Sequence, residues 1–270
     1  DHRDLHSFPT RRSSDLIEAV AAQLAYELMQ RPELIGFDQA EDAARIFEDL
    51  SKYYVSQERQ DLAVQALRAT LELREQVLGA VHPDLVDGWT QLLEWNRRLG
   101  DPEAVLPIQE RLIPLLRAAG ENHVRKHRVA EGTTLLKRAL ELEELLPEAP
   151  DDLAVRYHDL AVLVKEHRLP GSEELFHKAL ALQKGESSED PQLALKSTFE
   201  LADRHRANRR HADAEIHARK ALELAEKTLG SESKELVPYL KLLAEILKAA
   251  NRYGEATDYE SRATLLRFRR

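Results

Sequence analysis

The 270-residue sequence contains no cysteine, and this absence excludes several kinds of chemistry at once. Disulfides, thiolate nucleophiles and cysteine-based zinc or iron–sulfur sites all require the thiol group. A chain without thiols fits a reducing compartment, and we expect a cytoplasmic protein. Apolar runs that approach the roughly 18–20 residues of a membrane span are also missing, so we expect no membrane partner.

Glycine, with 10 residues, and the aromatic residues, at 6% of the chain, are scarce, whereas Ala, Leu, Glu, Arg and Lys dominate. The dominant residues lose little rotamer freedom in a helix, so the composition predicts a mostly helical chain. Acidic residues outnumber basic ones by 48 to 39, which gives a formal net charge of −9 at pH 7. Because general nucleic-acid binding needs an electropositive face, we expect no nucleic-acid partner.

The first residues read differently from the rest of the chain. Residues 7–16, SFPTRRSSDL, match the in-frame translation of a common sequencing-library adapter. We therefore expect residues 1–16 to be an adapter-derived, disordered segment and residues 17–270 to form the folded domain. On this interpretation the natural N-terminus is missing, and the chain could be the sensor or assembly arm of a larger, bacterial signalling or regulatory protein.

A short pattern, A-L-x-L, recurs along the chain and marks one helix of a repeat. It begins at Ala139, Ala179 and Ala221 and, in degenerate form, at Ala263, so the successive spacings are 40, 42 and 42. A small residue precedes each of these positions by seven: Gly132, Ser172, Ala214 and Ala256. Residues seven apart share a helix face, so small residues there predict the close approach of a neighbouring helix.

A second helix precedes most of the helices that carry this pattern. It is marked by a leucine followed by a small residue, at a nearly constant distance upstream: Leu50-Ser51, Leu160-Ala161, Leu201-Ala202 and Leu243-Ala244, with Leu92-Leu93 as a bulkier version. The predicted unit is helix A, a short turn, helix B and a loop. Such a hairpin cannot bury its apolar face alone and must stack on its neighbours.

Helix B is followed by a recurring loop with a glycine near its start: Leu78–Pro83, Ala119–His123 and Leu229–Ser233. On these features, over about residues 40–270, the sequence resembles the tetratricopeptide repeat family in the longer variety, of about 42 residues, found in kinesin light chains. The resemblance implies an all-α, right-handed α-α superhelix built of antiparallel helix pairs. It also implies a non-catalytic scaffold that needs no cofactor and binds a peptide or partner protein along a concave face lined by helix A.

The repeat loses its register once. The stretch from His123 to Ala139 is shorter, by about one helix, than the corresponding stretch from His82 to Arg111. We predict a break near residues 120–132, formed either by a short irregular helix over Val124–Val129 or by one long helix running to Leu146. The break would be a hinge between two short stacks, or an error of sequence assembly.

The resemblance places the binding groove on polar positions of helix A. The row before each leucine of the A pairs holds Asp49, Gln91, Asp159 and Glu200. A second, mainly basic row holds Arg97, Lys165, Arg206 and Lys248, and between the rows lie Lys52, Glu94, Asp203 and Glu245. His158 and Phe199 are the candidates for apolar or stacking contacts with a ligand. Two interpretations stay open: the rows neutralise each other and bind nothing, or they receive a partner of mixed charge.

In the kinesin-light-chain variety, a row of asparagines that binds the ligand backbone stands at the first-row positions. This sequence has no asparagine at any of them.

Catalytic and metal-binding motifs are not found in the sequence. P-loop, dinucleotide-binding and G-x-S-x-G patterns are missing, so we predict that the chain is not an enzyme. His123 and His127 share the spacing of two metal ligands, but Arg125, Lys126 and Arg128 around them disfavour a cation. We expect His205, His211 and His217 to be surface residues that do not converge, so no metal site is predicted. Exposed end repeats could also stack on a second copy.

Overall fold

A computed structural model describes residues 26–28, 30–183 and 190–268 of the chain. The predicted adapter-derived segment, residues 1–16, lies outside these residues. Within the described part, every regular element is a helix, and none of these helices is both long enough and apolar enough to cross a membrane. The prediction of an all-α fold is confirmed.

Eleven α-helices lie within the described residues. They are α1 Phe37–Ser56, α2 Gln60–Leu78, α3 Val86–Leu99, α4 Pro102–Arg125, α5 Val129–Glu143, α6 Leu153–Glu166, α7 Ser172–Leu182, α8 Pro191–Ala207, α9 His211–Leu229, α10 Val237–Ala249 and α11 Tyr253–Phe268. Short 3-10 helices occupy Pro32–Leu34, Pro83–Leu85 and Lys234–Leu236.

The chain forms two compact units, Asp1–Asn122 and His123–Arg270. In the first unit, α1 packs on α2 and α2 packs on α3. In the second unit, the pairs α6/α7, α8/α9 and α10/α11 follow one another, and α9 also packs on α10. Consecutive helices therefore pack as the repeat predicts, with α1, α3, α6, α8 and α10 as A helices.

Small side chains let the paired helices approach each other. On α9, Ala214, Ala218, Ala221 and Ala225 form a stripe with exposed fractions between 0% and 2%. They belong to the same apolar cluster as Ala244 of α10. In the first unit the approach is close enough for a hydrogen bond, since the Ser51 hydroxyl of α1 donates to the Ala63 carbonyl of α2 at 3.1 Å. The predicted small-residue faces are thus buried contacts between helices.

One kind of turn joins helix A to helix B throughout the described chain. After α1, Glu58 has a φ of 57°, and the next amide, of Arg59, donates to the Tyr54 carbonyl at 2.9 Å. This bond, which spans five residues, closes the last helical turn around a left-handed residue, as in a Schellman motif. The same arrangement recurs at Gly100, His127, Arg168, Arg209 and Asn251.

The predicted loop Ala119–His123 is wrong, because these residues lie inside α4, a helix of 24 residues. Both forms predicted for the break are also wrong. Residues 126–128 form a turn of the A-to-B kind in place of a helix over Val124–Val129, and α5 begins only at Val129 and ends at Glu143, short of Leu146.

The physical reason lies in Ala119-Gly120. This pair precedes Gly132 at the same distance along the sequence at which Leu201-Ala202 precedes Ala214, and both of its residues are buried. Gly120 is therefore a small packing residue of a helix A and not a helix cap. By contrast, Gly79 and Gly230 end α2 and α9 with φ of 88° and 89°, in a region that side chains strongly disfavour.

It follows that α4 fuses a helix B with the helix A of the next repeat and leaves no loop between them. Its first half carries Ala104, at the helix B position, and its second half ends in the A-to-B turn at His127. The boundary between the two compact units falls near the end of this helix, after Asn122.

Candidate functional site

Three A helices of the second unit lie side by side, because α8 contacts both α6 and α10. Their polar residues Lys165, Glu200, Asp203, Arg206 and Glu245 form a continuous set, which we call the A-helix face. All five are among the groove residues predicted from the sequence, in the two rows or between them. The structure therefore brings these predicted groove residues together within one unit.

Lys165 of α6 bridges to two acids of α8. Its Nζ donates to Glu200 Oε2 at 2.5 Å and to Asp203 Oδ2 at 2.7 Å, and the three side chains are between 24% and 27% exposed. Burial disfavours the charge on Lys165, but the hydrogen bonds to Asp203 and Glu200 outweigh it and raise the pKa of the ammonium. Lys165 is therefore charged at neutral pH, and its contacts with the two acids are partly screened from water.

Arg206 continues the row to α10. Its Nη2 donates to Asp203 Oδ1 at 2.7 Å, and its Nη1 lies 3.4 Å from Glu245 Oε2. Burial alone would raise the pKa of Asp203, but hydrogen bonds from Lys165 and Arg206 lower it. Lys165 and Arg206 thus form, with Glu200, Asp203 and Glu245, a series of ion pairs that runs from α6 through α8 to α10. We call this series the ladder.

The flanking predicted residues take different positions. Asp159 is exposed on α6, beside the ladder. Lys248 of α10 is directed to helix B of its own pair, where its Nζ lies 2.6 Å from Glu260 Oε1. Asp159 therefore adds an exposed carboxylate to the A-helix face, whereas the charge of Lys248 is paired away from the ladder.

The two residues predicted for apolar or stacking contacts also differ. His158 is only 8% exposed, with its Nδ1 2.8 Å from Ser197 Oγ and its ring 5.5 Å from that of Phe176, so it is largely withdrawn into the core. Phe199 is half-buried and meets Tyr239 of α10 edge to face at 5.1 Å. Sequence reasoning missed Tyr239, which completes an aromatic pair next to the ladder.

In the first unit the predicted residues form a looser group. Lys52 of α1 pairs within its own helix, with Glu48 at 2.8 Å and Asp49 at 3.6 Å. On α3 the predicted residues Gln91, Glu94 and Arg97 are all exposed. Lys52 and Gln91 line a cleft of about 430 Å³, and its other walls include Arg74, Asp87 and Trp95. Charges of both signs therefore surround this cleft as well.

A family model described as tetratricopeptide repeat matches residues 43–84 and residues 200–234. These two segments match tetratricopeptide repeats, in agreement with the resemblance seen in the sequence. The first match, from 43 through 84, covers one predicted period and contains most of the α1/α2 pair. Tetratricopeptide repeats generally act as protein–protein interaction modules, and proteins built from them are typically non-catalytic scaffolds.

Solved structures give more distant similarities. BtubC (BKLC) from P. vanneervenii is 16% identical, with 86% of this chain and 91% of that chain covered and a TM-score of 0.48. A structure from Podosopora anserina, described as "kinesin light chain nearly identical TPR-like repeats", is 21% identical. It covers 82% of this chain and 93% of its own, with a TM-score of 0.45. A search of curated proteins finds no match.

The prediction that His205 and His217 lie on the surface without converging is wrong. His205 of α8 is 1% exposed, His217 of α9 and His211 are half-buried, and the rings of His205 and His217 stack at 5.1 Å. The spacing of residues within one helix does not show which residues of neighbouring helices meet. Because α8 and α9 are joined by a tight A-to-B turn, residues on either side of that turn face each other.

Because His205 and His217 are buried or half-buried, we expect the protein to lose stability in acid. Burial lowers the pKa of His205 and of His217, and for His217 the neighbouring His205, His177 and Lys220 lower it further. Unfolded histidine titrates near pH 6.5, so below about that pH the unfolded state takes up protons first. The stabilisation by the neutral histidines should be fully present above this pH. The free energy of unfolding should then fall as the pH drops towards the lowered pKa values of the folded state.

Urea denaturation in the presence of a chelator, at pH 7.5 and pH 5.5, measures this loss. The variant His217→Gln should depend less on pH, whereas His167→Gln, at an exposed site, should match the parent chain. Equal pH dependence in the parent and in His217→Gln would show that the buried rings do not carry the effect.

Proposed function

We propose that the A-helix face of the second unit binds an extended peptide or a helix of a partner protein, and that the chain is a non-catalytic scaffold. The observation that carries the proposal is the ladder from Lys165 to Glu245, which lies beside the Phe199–Tyr239 pair. Charged groups that would fix the position of a bound peptide thus lie next to half-buried aromatic side chains. Aromatic residues of this kind are enriched at the centres of protein interfaces.

The charges of the face favour one kind of partner. Each basic residue of the ladder already has an acidic neighbour, and partly exposed pairs contribute only about 0–1 kcal/mol. Asp159 is exposed, and the Glu245 side chain is 59% exposed, so acidic groups remain accessible to a ligand. We therefore expect a partner that presents a basic residue next to an apolar or aromatic one.

The first row also sets the hydrogen bonding that a ligand must supply. Asp159 and Glu200 occupy positions where the kinesin-light-chain resemblance would place asparagine. An ionised carboxylate only accepts hydrogen bonds, whereas an asparagine amide also donates them. A peptide on this face must therefore donate backbone N–H groups or cationic side chains to these positions.

The test is selection of a peptide from a random display library against the full chain, followed by measurement of its Kd by isothermal titration calorimetry. Phe199→Ala should weaken binding roughly tenfold or more, because truncation of an aromatic anchor commonly costs more than about 1.4 kcal/mol. Replacing Asp159, Glu200 and Arg206 together with alanine should abolish the selectivity for basic peptides.

A matched control uses the ion pair between Glu223 and Lys227 on α9, a helix B, where both side chains are more than 60% exposed. The substitution Glu223→Ala should leave the Kd unchanged. If the selected peptide binds the Phe199→Ala chain as tightly as it binds the control, the A-helix face is not the binding surface.

A further inference from the structure

Three histidines from three helices of the second unit converge at one point. His177 of α7, His205 of α8 and His217 of α9 each place a ring nitrogen within 4.8 Å of the other two. The His205 and His217 rings stack at 5.1 Å, and the His177 ring meets the His217 ring edge-on at 5.8 Å. Imidazole nitrogens grouped in this way resemble the ligand set of a metal site.

Two of the three rings have a buried nitrogen that lacks a hydrogen bond. Within the described part of the chain, the Nδ1 atoms of His205 and His217 are buried without a hydrogen-bond partner, and His205 as a whole is 1% exposed. The Glu173 carboxylate lies 3.9 Å from His205 Nδ1, beyond hydrogen-bond distance. A buried polar atom without a hydrogen bond lowers the stability of a folded protein, and a bound ion would give these nitrogens a partner.

We propose that His177, His205 and His217 bind a transition-metal ion, with Zn²⁺ favoured. Imidazole suits zinc, copper, iron and nickel, whereas oxygen ligands suit magnesium and calcium. Three histidine ligands leave the fourth position of a tetrahedral zinc ion open to water or to an outside ligand. The site would join helices of two successive repeat pairs.

The geometry needs only a modest closure. A zinc–nitrogen distance of about 2.0–2.1 Å places two nitrogens of a tetrahedral site about 3.4 Å apart. The three nitrogens must therefore approach each other by an ångström or so from their present separation of up to 4.8 Å. His177 is exposed and can make this movement by side-chain rotation, while packing holds His205 in place. The exposure of His177 also gives the ion a path from solvent.

The surrounding charges are compatible with a bound cation. Arg210 is neutralised by Glu173 and Asp213, each at 2.9 Å. Lys220 lies near His217 and lowers the pKa of its ring, which favours the neutral form of the ring over the protonated one. Burial lowers the pKa of both His205 and His217, so the rings are neutral at pH 7, the form that binds metal.

The experiment is titration of the full, chelator-treated chain with Zn²⁺ at pH 7.5, followed by calorimetry and by thermal unfolding. We expect one saturable site and a rise in Tm on the order of 5 °C at saturating zinc. Co²⁺ in place of Zn²⁺ should give the visible absorption of a tetrahedral complex.

The decisive variant is His177→Ala, because His177 is exposed and its loss should leave the fold intact. Removing this direct ligand should weaken zinc binding by more than the roughly 10–100-fold that follows loss of an outer-shell partner. The control His167→Ala removes an exposed histidine at the end of α6, outside the cluster, and should bind as the parent does. Absence of saturable binding, or equal affinity in the two variants, would overturn the proposal.

Discussion

Replacing Trp89 with alanine is expected to lower the free energy of unfolding of the first unit by about 3–5 kcal/mol, as large-to-small changes at aromatic core positions do. Trp89 lies on α3 and is 1% exposed, among the largest fully buried side chains of the described residues. The Arg111 guanidinium of α4 stands over its ring at 5.2 Å, so the truncation also removes a cation–π contact. The resulting cavity cannot close without moving the helices around it.

The same helix offers a matched control. Trp95 is half-buried and lines the cleft next to Lys52 and Gln91, where water already reaches its ring. Trp95→Ala should therefore cost distinctly less than Trp89→Ala in parallel urea denaturations followed by far-UV circular dichroism. Equal losses from the two substitutions would show that the packing of α3 is not as described.

Replacing Arg156 with alanine should lower the free energy of unfolding of the second unit by about 3 kcal/mol, because Arg156 compensates a buried carboxylate. Its Nη1 donates to Glu143 Oε2 at 2.9 Å, and the Glu143 side chain is only 1% exposed. Removing one partner of a buried ion pair takes away part of what compensates the other buried charge, and such a loss typically costs about 3–5 kcal/mol. We expect the lower end of that range because the Arg156 side chain itself is 30% exposed.

Two further variants separate this effect from simple loss of charge. Arg156 also contacts Asp152, whose side chain is 55% exposed, so Asp152→Asn should cost less than about 1 kcal/mol. Adding Glu143→Gln to Arg156→Ala should recover part of the stability, because a neutral amide is less costly to bury than a carboxylate. If the double variant is less stable than Arg156→Ala in equilibrium denaturation, the buried charge is not the cause.

The repeat was predictable because close helix packing requires small residues at fixed positions. Ala214 and Ala221, seven apart, are both buried on α9, and Leu201-Ala202 is buried on the preceding helix A. These are local patterns with a direct physical meaning. For the same reason the A and B helices could be assigned over most of the chain from one sequence.

The fusion of two helices into α4 was missed because a glycine can serve two purposes. In the sequence Gly120 resembles the glycines that end helices B at Gly79 and Gly230. The distance along the sequence from Ala119 to Gly132 was the signal for the correct interpretation, since it matches that of the other A-to-B pairs. Spacing across the turn was more informative than the type of residue.

The candidate site was predictable in part. The ladder pairs each base of one A helix with an acid about one repeat later, Lys165 with Asp203 and Arg206 with Glu245, so the repeat itself contained this signal. The histidine cluster was not predictable in this way. It depends on the directions of side chains from three helices, and the spacing of residues within one helix does not determine these.

The central claim is that the A-helix face of the second unit receives the partner, and cysteine labelling tests it most directly. Because the sequence has no cysteine, Glu245→Cys on α10 and Glu223→Cys on α9 each provide a single attachment point, at side chains that are 59% and 63% exposed. A selected peptide carrying a thiol-reactive group should cross-link to position 245 and not to position 223. Equal cross-linking at both positions, or cross-linking at position 223 alone, would contradict the account.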